Sequence, residues 1–159
     1  MKRILAINLG STSTKMAYYE DEQCVCRGTA DHTSEEIQQY ERMLDQIDLR
    51  KIAILRFMVA NDIRMERLDA FVSKGGHIEP IAGGTYRISR TLLALIENEE
   101  FGVHAHSLGC RIAFDFTNGG KGVPLSVETT TSGEQEMDSL CLDAYEALCG
   151  RSDIKQYFP

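Results

Sequence analysis

The sequence predicts an α/β domain: a mixed five-stranded sheet flanked by helices. Three observations lead there. The N-terminal residues up to Ala30 hold three short apolar runs separated by tight turns, the pattern of an antiparallel meander. Beyond them, stretches with apolar residues three and four apart alternate with two further apolar runs, so helix alternates with strand. Two segments, Thr33-Ser34-Glu35-Glu36 and Ser132-Gly133-Glu134-Gln135, read as capping boxes that open helices.

The elements follow in order. Arg3-Ile4-Leu5-Ala6-Ile7 is a buried strand, and Leu9-Gly10-Ser11-Thr12-Ser13 a turn rich in the residues that bend a backbone sharply. Lys15 to Tyr19 is a second strand, which Glu20-Asp21-Glu22 turns into a third from Gln23 to about Ala30. The helix opened by Thr33 is expected to carry Ile37, Tyr40, Leu44 and Ile47 on one face. Ile52 to Val59 reads as a second helix, and Leu68 to Val72 as a fourth strand stopped by Gly75-Gly76. Irregular chain through Gly83-Gly84 leads to a helix from about Ser89 to Asn98. Another helix spans about Ala105 to Thr117, with Leu108, Ile112, Ala113 and Phe116 inward. After the loop Asn118-Gly119-Gly120-Lys121-Gly122, Val123 to Val127 is the fifth strand. A final helix turns Met137, Leu140, Cys141, Ala144 and Leu148 inward. No repeat, biased tract or linker interrupts the chain, so residues 1–159 read as a single domain.

Charge and cysteine usage exclude some classes. Lys plus Arg number 17 against 24 Asp plus Glu, a net charge of −7. Non-specific nucleic-acid binding needs a basic face that this balance does not favour. The opening apolar run ends at Asn8, far short of the ~7–15 residues of a secretory core or the ~20 of a membrane span. Five scattered cysteines are no disulfide framework. A cytoplasmic protein without a membrane segment is the expectation.

The strongest functional pattern is Asn8-Leu9-Gly10-Ser11-Thr12-Ser13-Thr14-Lys15, set between two strands. Gly10 allows a bulky anion close to the backbone. The turn amides and the hydroxyls of Ser11, Thr12 and Ser13 can donate to phosphate oxygens, Lys15 adds a charge, and Asn8 can reach a phosphate or a metal-bound water. The plain alternative is a hairpin turn that happens to be rich in Gly and Ser. It is not a Walker loop, because Gly120-Lys121 is followed by Gly122.

The segment Ile7 to Lys15 resembles the first phosphate motif of the acetate and butyrate kinases, members of the actin-like ATPase superfamily, with the match closest to butyrate kinases. Those kinases have further stretches similar to Gly75-Gly76-His77-Ile78-Glu79-Pro80-Ile81-Ala82-Gly83-Gly84-Thr85-Tyr86, to Gly102-Val103-His104-Ala105-His106-Ser107-Leu108-Gly109 and to Cys149-Gly150-Arg151-Ser152-Asp153-Ile154. Four segments in the same order span nearly the whole chain.

The resemblance implies an actin-like (RNase H-like) domain corresponding to the N-terminal half of such a kinase, with the family's C-terminal nucleotide-binding domain absent from residues 1–159. It implies ATP and Mg2+ as cofactors, and a short-chain carboxylate or its acyl phosphate as substrate. Asn8, Ser11, Ser13 and Lys15 would lie around metal and phosphates, with Gly10 and Thr12 in the same cradle. Lys74 stands where the family has an arginine that grips the substrate, and keeps the charge without the planar fork. His104 matches a histidine near the transferred phosphoryl group, although alone it reads equally as an exposed histidine at a helix start. Glu128 stands where the family has a catalytic aspartate, and with Asn8 would serve the metal. His106 and Ser107 depart from the family pattern, and no third ligand at a matching spacing turns His104-x-His106 into a metal site.

The expected activity is reversible ATP-dependent phosphorylation of a carboxylate, incomplete in this chain alone. The alternatives are an inactive relative that acts through binding, and a half-enzyme completed by a separate chain. A homodimer is expected, through an apolar patch near the final helix, Tyr157 and Phe158.

Overall fold

In the computed structural model, residues 1–75, 78–98, 101–102, 104–117, 122–128 and 135–158 are described, Glu128 by its backbone only. The chain begins with β1 (Arg3–Leu9), β2 (Ser13–Glu20) and β3 (Gln23–Asp31), the expected antiparallel meander. Every residue of β1 from Leu5 to Ile7 is fully buried, because the strand lies inside the sheet with both faces covered. β3, at the sheet edge, instead alternates exposed and half-buried positions.

Next come α1 (Ser34–Gln38), α2 (Ile47–Ala60), β4 (Ala70–Lys74), β5 (Gly84–Arg87), α3 (Arg90–Glu97), α4 (Ala105–Thr117), β6 (Val123–Glu128) and α5 (Glu136–Leu148). The sheet order is β3-β2-β1-β4-β6-β5. β1, β4 and β6 run parallel, with Leu5 opposite Phe71 and Val72 opposite Leu125. Antiparallel strands flank them on both sides, so the sheet is mixed.

Two cores lie on opposite faces of the sheet. On one, Leu5, Ile7, Met16 and Phe71 pack with Ile54 and Met58 of α2, Leu92 and Ile96 of α3, and Leu108 and Ile112 of α4. On the other, Ile4, Ala6, Tyr19, Val72 and Leu125 pack with Met137, Leu140, Cys141 and Ala144 of α5. Alternate residues of β1 therefore feed different cores.

Four local expectations need correction. The sheet has six strands, not five: β5 lies in the segment read as irregular. It is short and begins at Gly84, with φ of +138°, so no apolar alternation marks it. Backbone pairing places it instead, with β6 on one side and Lys155 on the other; the Lys155 N–H donates to the Thr85 carbonyl at 2.8 Å and the Arg87 N–H to the Lys155 carbonyl at 2.9 Å.

The helix from Thr33 does not reach Ile47. Its capping box forms as expected, the Glu36 N–H donating to Thr33 Oγ1 and the Thr33 N–H to the Glu36 carboxylate. α1 buries no residue, however, and a cap without a packed face sustains little more than a turn. A 3-10 turn at Met43–Gln46 precedes α2, which starts at Ile47 rather than Ile52. β4 is displaced two residues from the expected Leu68–Val72, because Leu68 is buried in the preceding turn without being in the strand.

The expected apolar patch at α5 is not exposed either. The inward residues of α5 fill the second core, Tyr157 is buried, and Phe158 alone of that group projects into solvent. Ile52, Leu55 and Val59 of α2 are exposed together on one helix, whereas on α5 a single large apolar residue, Leu142, is exposed among the described residues. The second capping box (Ser132–Gln135) and most of the glycine loop at 118–122 fall outside the described residues, as do Gly76, His77 and Val103. No described helix is long and apolar enough to cross a membrane.

Candidate functional site at the carboxyl ends of β1 and β4

Parallel pairing of β1 with β4 brings Asn8 and Lys74 to one end of the sheet, since Ile7 lies opposite Ser73. Carboxyl ends of parallel strands, where loops diverge, are the usual crevice of open α/β sheets. Over this edge comes the first turn of α5. Its Glu136, only 6% exposed, takes both neighbours: Asn8 Nδ2 donates to Oε2 at 2.5 Å, and the Lys74 ammonium pairs with Oε1. Asn8 Oδ1 is buried without a partner among the described residues. An amide oxygen left so costs about 1–3 kcal/mol, which a cation or donor from outside would relieve.

Next to this cluster is the β1–β2 turn. The Gly10 N–H donates to the Ser13 carbonyl at 2.9 Å. A Cβ on Gly10 would stand 3.1 Å from Ser13 Oγ, so a larger residue here would have to push that hydroxyl aside. The carbonyls of Ser11, Thr12 and Ser13 are held from behind. Arg50 of α2, fully buried, donates through Nη2 to the Ser11 carbonyl at 2.9 Å and through Nη1 to the Ser13 carbonyl at 2.8 Å. The His32 N–H donates to the Thr12 carbonyl at 2.8 Å, and His32 Nε2 lies 2.9 Å from Thr14 Oγ1. With the carbonyls engaged, the N–H groups of Ser11 and Thr12 have no acceptor among the described residues, and both residues are exposed. Such a turn can receive an anion. Burial, followed by the Arg50 charge, holds His32 below the ordinary imidazole range.

The remaining expected residues divide. Lys15 pairs across the hairpin with Asn8, so the two share a sheet face, and Lys15 is exposed. His104 precedes α4, half-buried, its Nδ1 accepting from the His106 N–H at 3.2 Å and its ring 4.1 Å from that of His106. α4 is anchored beside Lys74, with Gly109 against Ser73 and Cys110 Sγ 3.7 Å from the Lys74 carbonyl oxygen. Glu128 ends β6, its backbone opposite Gly84, and its side chain lies outside the described structure. Among the described residues, no three His, Cys, Asp or Glu side chains converge as a metal site.

Sequence reasoning missed Glu136, Arg50 and His32. Glu136 had only the ordinary mark of an acid in a helix's first turn, and Arg50 that of a cation on a helix. His32 had the best available clue, standing immediately before a capping Thr where the chain leaves β3.

No protein-family model matches the sequence. Solved structures do. A propionate kinase from Francisella tularensis is 16% identical, with a TM-score of 0.50 over 80% of this chain and 37% of its own. Acetate kinase from Entamoeba histolytica is 14% identical, with a TM-score of 0.54 over 85% of this chain and 38% of its own. Porphyromonas gingivalis acetate kinase is 14% identical, with a TM-score of 0.52 over 82% and 38%. The likeness shows a fold shared with these kinases, and the chain spans under two fifths of each of them.

Proposed function

We propose that this chain is the phosphate-holding part of a carboxylate kinase that moves a phosphoryl group between ATP and a short-chain carboxylate, with butyrate the first candidate from the motif resemblance. The observation that carries this reading is the β1–β2 turn: the Ser11, Thr12 and Ser13 carbonyls are satisfied from behind, and two amides and three hydroxyl residues remain beside Asn8 and Lys74. Phosphoryl transfer depends on positioning and charge neutralisation, which such a turn supplies for one end of a polyphosphate.

The residues fit the implied Mg2+ in one respect: the unpartnered Asn8 Oδ1 is a hard oxygen of the kind Mg2+ takes alongside phosphate oxygens. In this reading Asn8 and Glu128 would hold the ion, which when bound neutralises developing charge on the phosphoryl oxygens. Gly10, Ser11, Thr12, Ser13 and Lys15 would hold phosphate, and Lys74 and His104 would orient the acyl group. A second reading, an inactive relative that only binds, has one observation in its favour: Glu136 already occupies Lys74 and the Asn8 amide.

The test is a titration of the chain with orthophosphate, followed by NMR. Amide signals from Gly10 to Thr14 are expected to shift at millimolar concentration, and Gly10→Val to abolish the shifts by displacing Ser13. Unmoved signals, or equal shifts in the variant, would remove the basis of the proposal. In a coupled assay with ATP, Mg2+ and butyrate, residues 1–159 by themselves are expected to stay below about one turnover per second, the low end for kinases. Faster turnover would eliminate the binding-only reading.

A further inference from the structure

The fully buried Arg50 is the feature whose chemistry the fold alone does not explain. It makes no ion pair among the described residues. Its partners are neutral: the carbonyls of Ser11 and Ser13, Thr14 Oγ1 at 3.3 Å and Gln46 Oε1 at 2.9 Å. Nε is buried and has no partner among the described residues. A guanidinium without a counter-ion is costly to bury, and deletion of an ionic partner usually destabilises for that reason. Burial alone pushes its pKa down, with no carboxylate opposing that shift. The site thus keeps a whole positive charge directly behind a turn whose outer amides are open.

We infer that Arg50 is the positioning residue of the turn, and that its uncompensated charge is completed only when an anionic phosphate group sits in front of Ser11 and Thr12. The inference rests on the proposed phosphate site and adds its hidden determinant. Two properties of arginine matter. Its planar fork spans two carbonyls at once, which fixes the Ser11–Thr12 and Ser13–Thr14 peptide planes and so aims the Thr12 N–H, opposite the Ser11 carbonyl, outward. Its charge, lying under the surface, is screened by salt far less than that of exposed Lys15. Gln46 holds the fork from the helix side, one turn back on the chain, so the guanidinium is fixed between α2 and the hairpin.

Orthophosphate is the probe. Arg50→Gln, which can retain one donor but no charge, is expected to weaken phosphate binding by about tenfold or more, with Arg50→Lys recovering part of the loss. In both variants amide signals of β1 and β2 outside 10–14 should stay in place. In the wild-type chain the Arg50 Nε–H resonance should move during the titration with the same midpoint as the Gly10–Thr14 amides. This readout stands even where a variant fails to fold, because a purely structural arginine would not respond to phosphate. Unchanged affinity in Arg50→Gln, equal loss in Gln and Lys variants, or a stationary Nε–H signal in a chain that binds phosphate overturns the inference alone. A wild-type chain that binds no phosphate overturns the proposed function first, and this inference with it.

Discussion

At Gly109, α4 packs directly against Ser73 of β4, and replacement by alanine tests whether this contact sets the frame of the site. A Cβ there would stand 2.1 Å from Ser73 Oγ and 3.2 Å from Ser73 Cβ, with Leu9 Cδ1 at 3.5 Å closing the other side. Ser73 is 1% exposed, and its hydroxyl donates to the Lys74 carbonyl at 2.9 Å. In an unconstrained helix, Gly→Ala gains about 1 kcal/mol. Here the hydroxyl must turn away, stranding a buried polar group at a cost of about 1–3 kcal/mol. The added methyl also overpacks the interface, for about 1–3 kcal/mol. The losses exceed the gain, and a net destabilisation of about 2 kcal/mol is expected, which lowers Tm by about 4–8 °C in a domain of this size.

Urea unfolding checks this, with a lower midpoint at unchanged slope. The Ser73→Gly background removes both crowding atoms, and there Gly109→Ala is expected to be neutral or stabilising, so the two changes couple strongly. A single Gly109→Ala variant more stable than the parent would refute the reasoning. Equal losses in both backgrounds would do so as well, since they would place the strain somewhere other than Ser73.

Acid should loosen the hairpin through His32, which faces Thr14 and Arg50, with Glu36 and Asp31 as the nearer acids. Its folded pKa lies below the unfolded value near ~6.5, so its contribution is complete above that pH and is lost as pH falls through it towards the folded pKa. Stability measured between pH 8 and 5 should flatten in His32→Gln, and parallel curves would dismiss the histidine as the source. Glu136→Gln should tighten orthophosphate binding by about five- to tenfold, the worth of releasing a half-buried Lys74 from its ion pair. Weaker binding in that variant would show Glu136 helping the anion rather than competing with it.

Elements that were legible carry their own physics locally. The meander is one, because two tight turns and apolar runs of strand length leave the first three strands little choice. α3 is another, with Ser89 Oγ accepting from the Leu92 N–H at 3.1 Å and Leu92, Leu93 and Ile96 on one face. α2 fails the same test. Its apolar residues point both ways, Ile54 and Met58 into the core but Ile52, Leu55 and Val59 into solvent, so periodicity could not find its start. β5 exists because β6 and Lys155 offer it partners, and pairing between distant segments leaves no mark on a four-residue stretch.

The site shows the same division more sharply. Asn8 through Ser13 could be singled out because turn chemistry is contiguous in the chain, and a Gly beside three hydroxyl residues states its own possibilities. What holds that turn could not be, because Arg50 approaches from another element and is defined by what it lacks. A surface arginine and a buried one have the same letter, and only topology makes the difference: α2 lies across the hairpin on the face opposite α5. Glu136 comes from that other side, to Asn8 and Lys74. The turn therefore stands between a buried cation beneath one face and a buried carboxylate closing the other. An anion entering there gains from the first and must contend with the second. For that reason Arg50 and Glu136 are expected to move phosphate affinity in opposite directions, although neither belongs to the motif that drew attention to the turn.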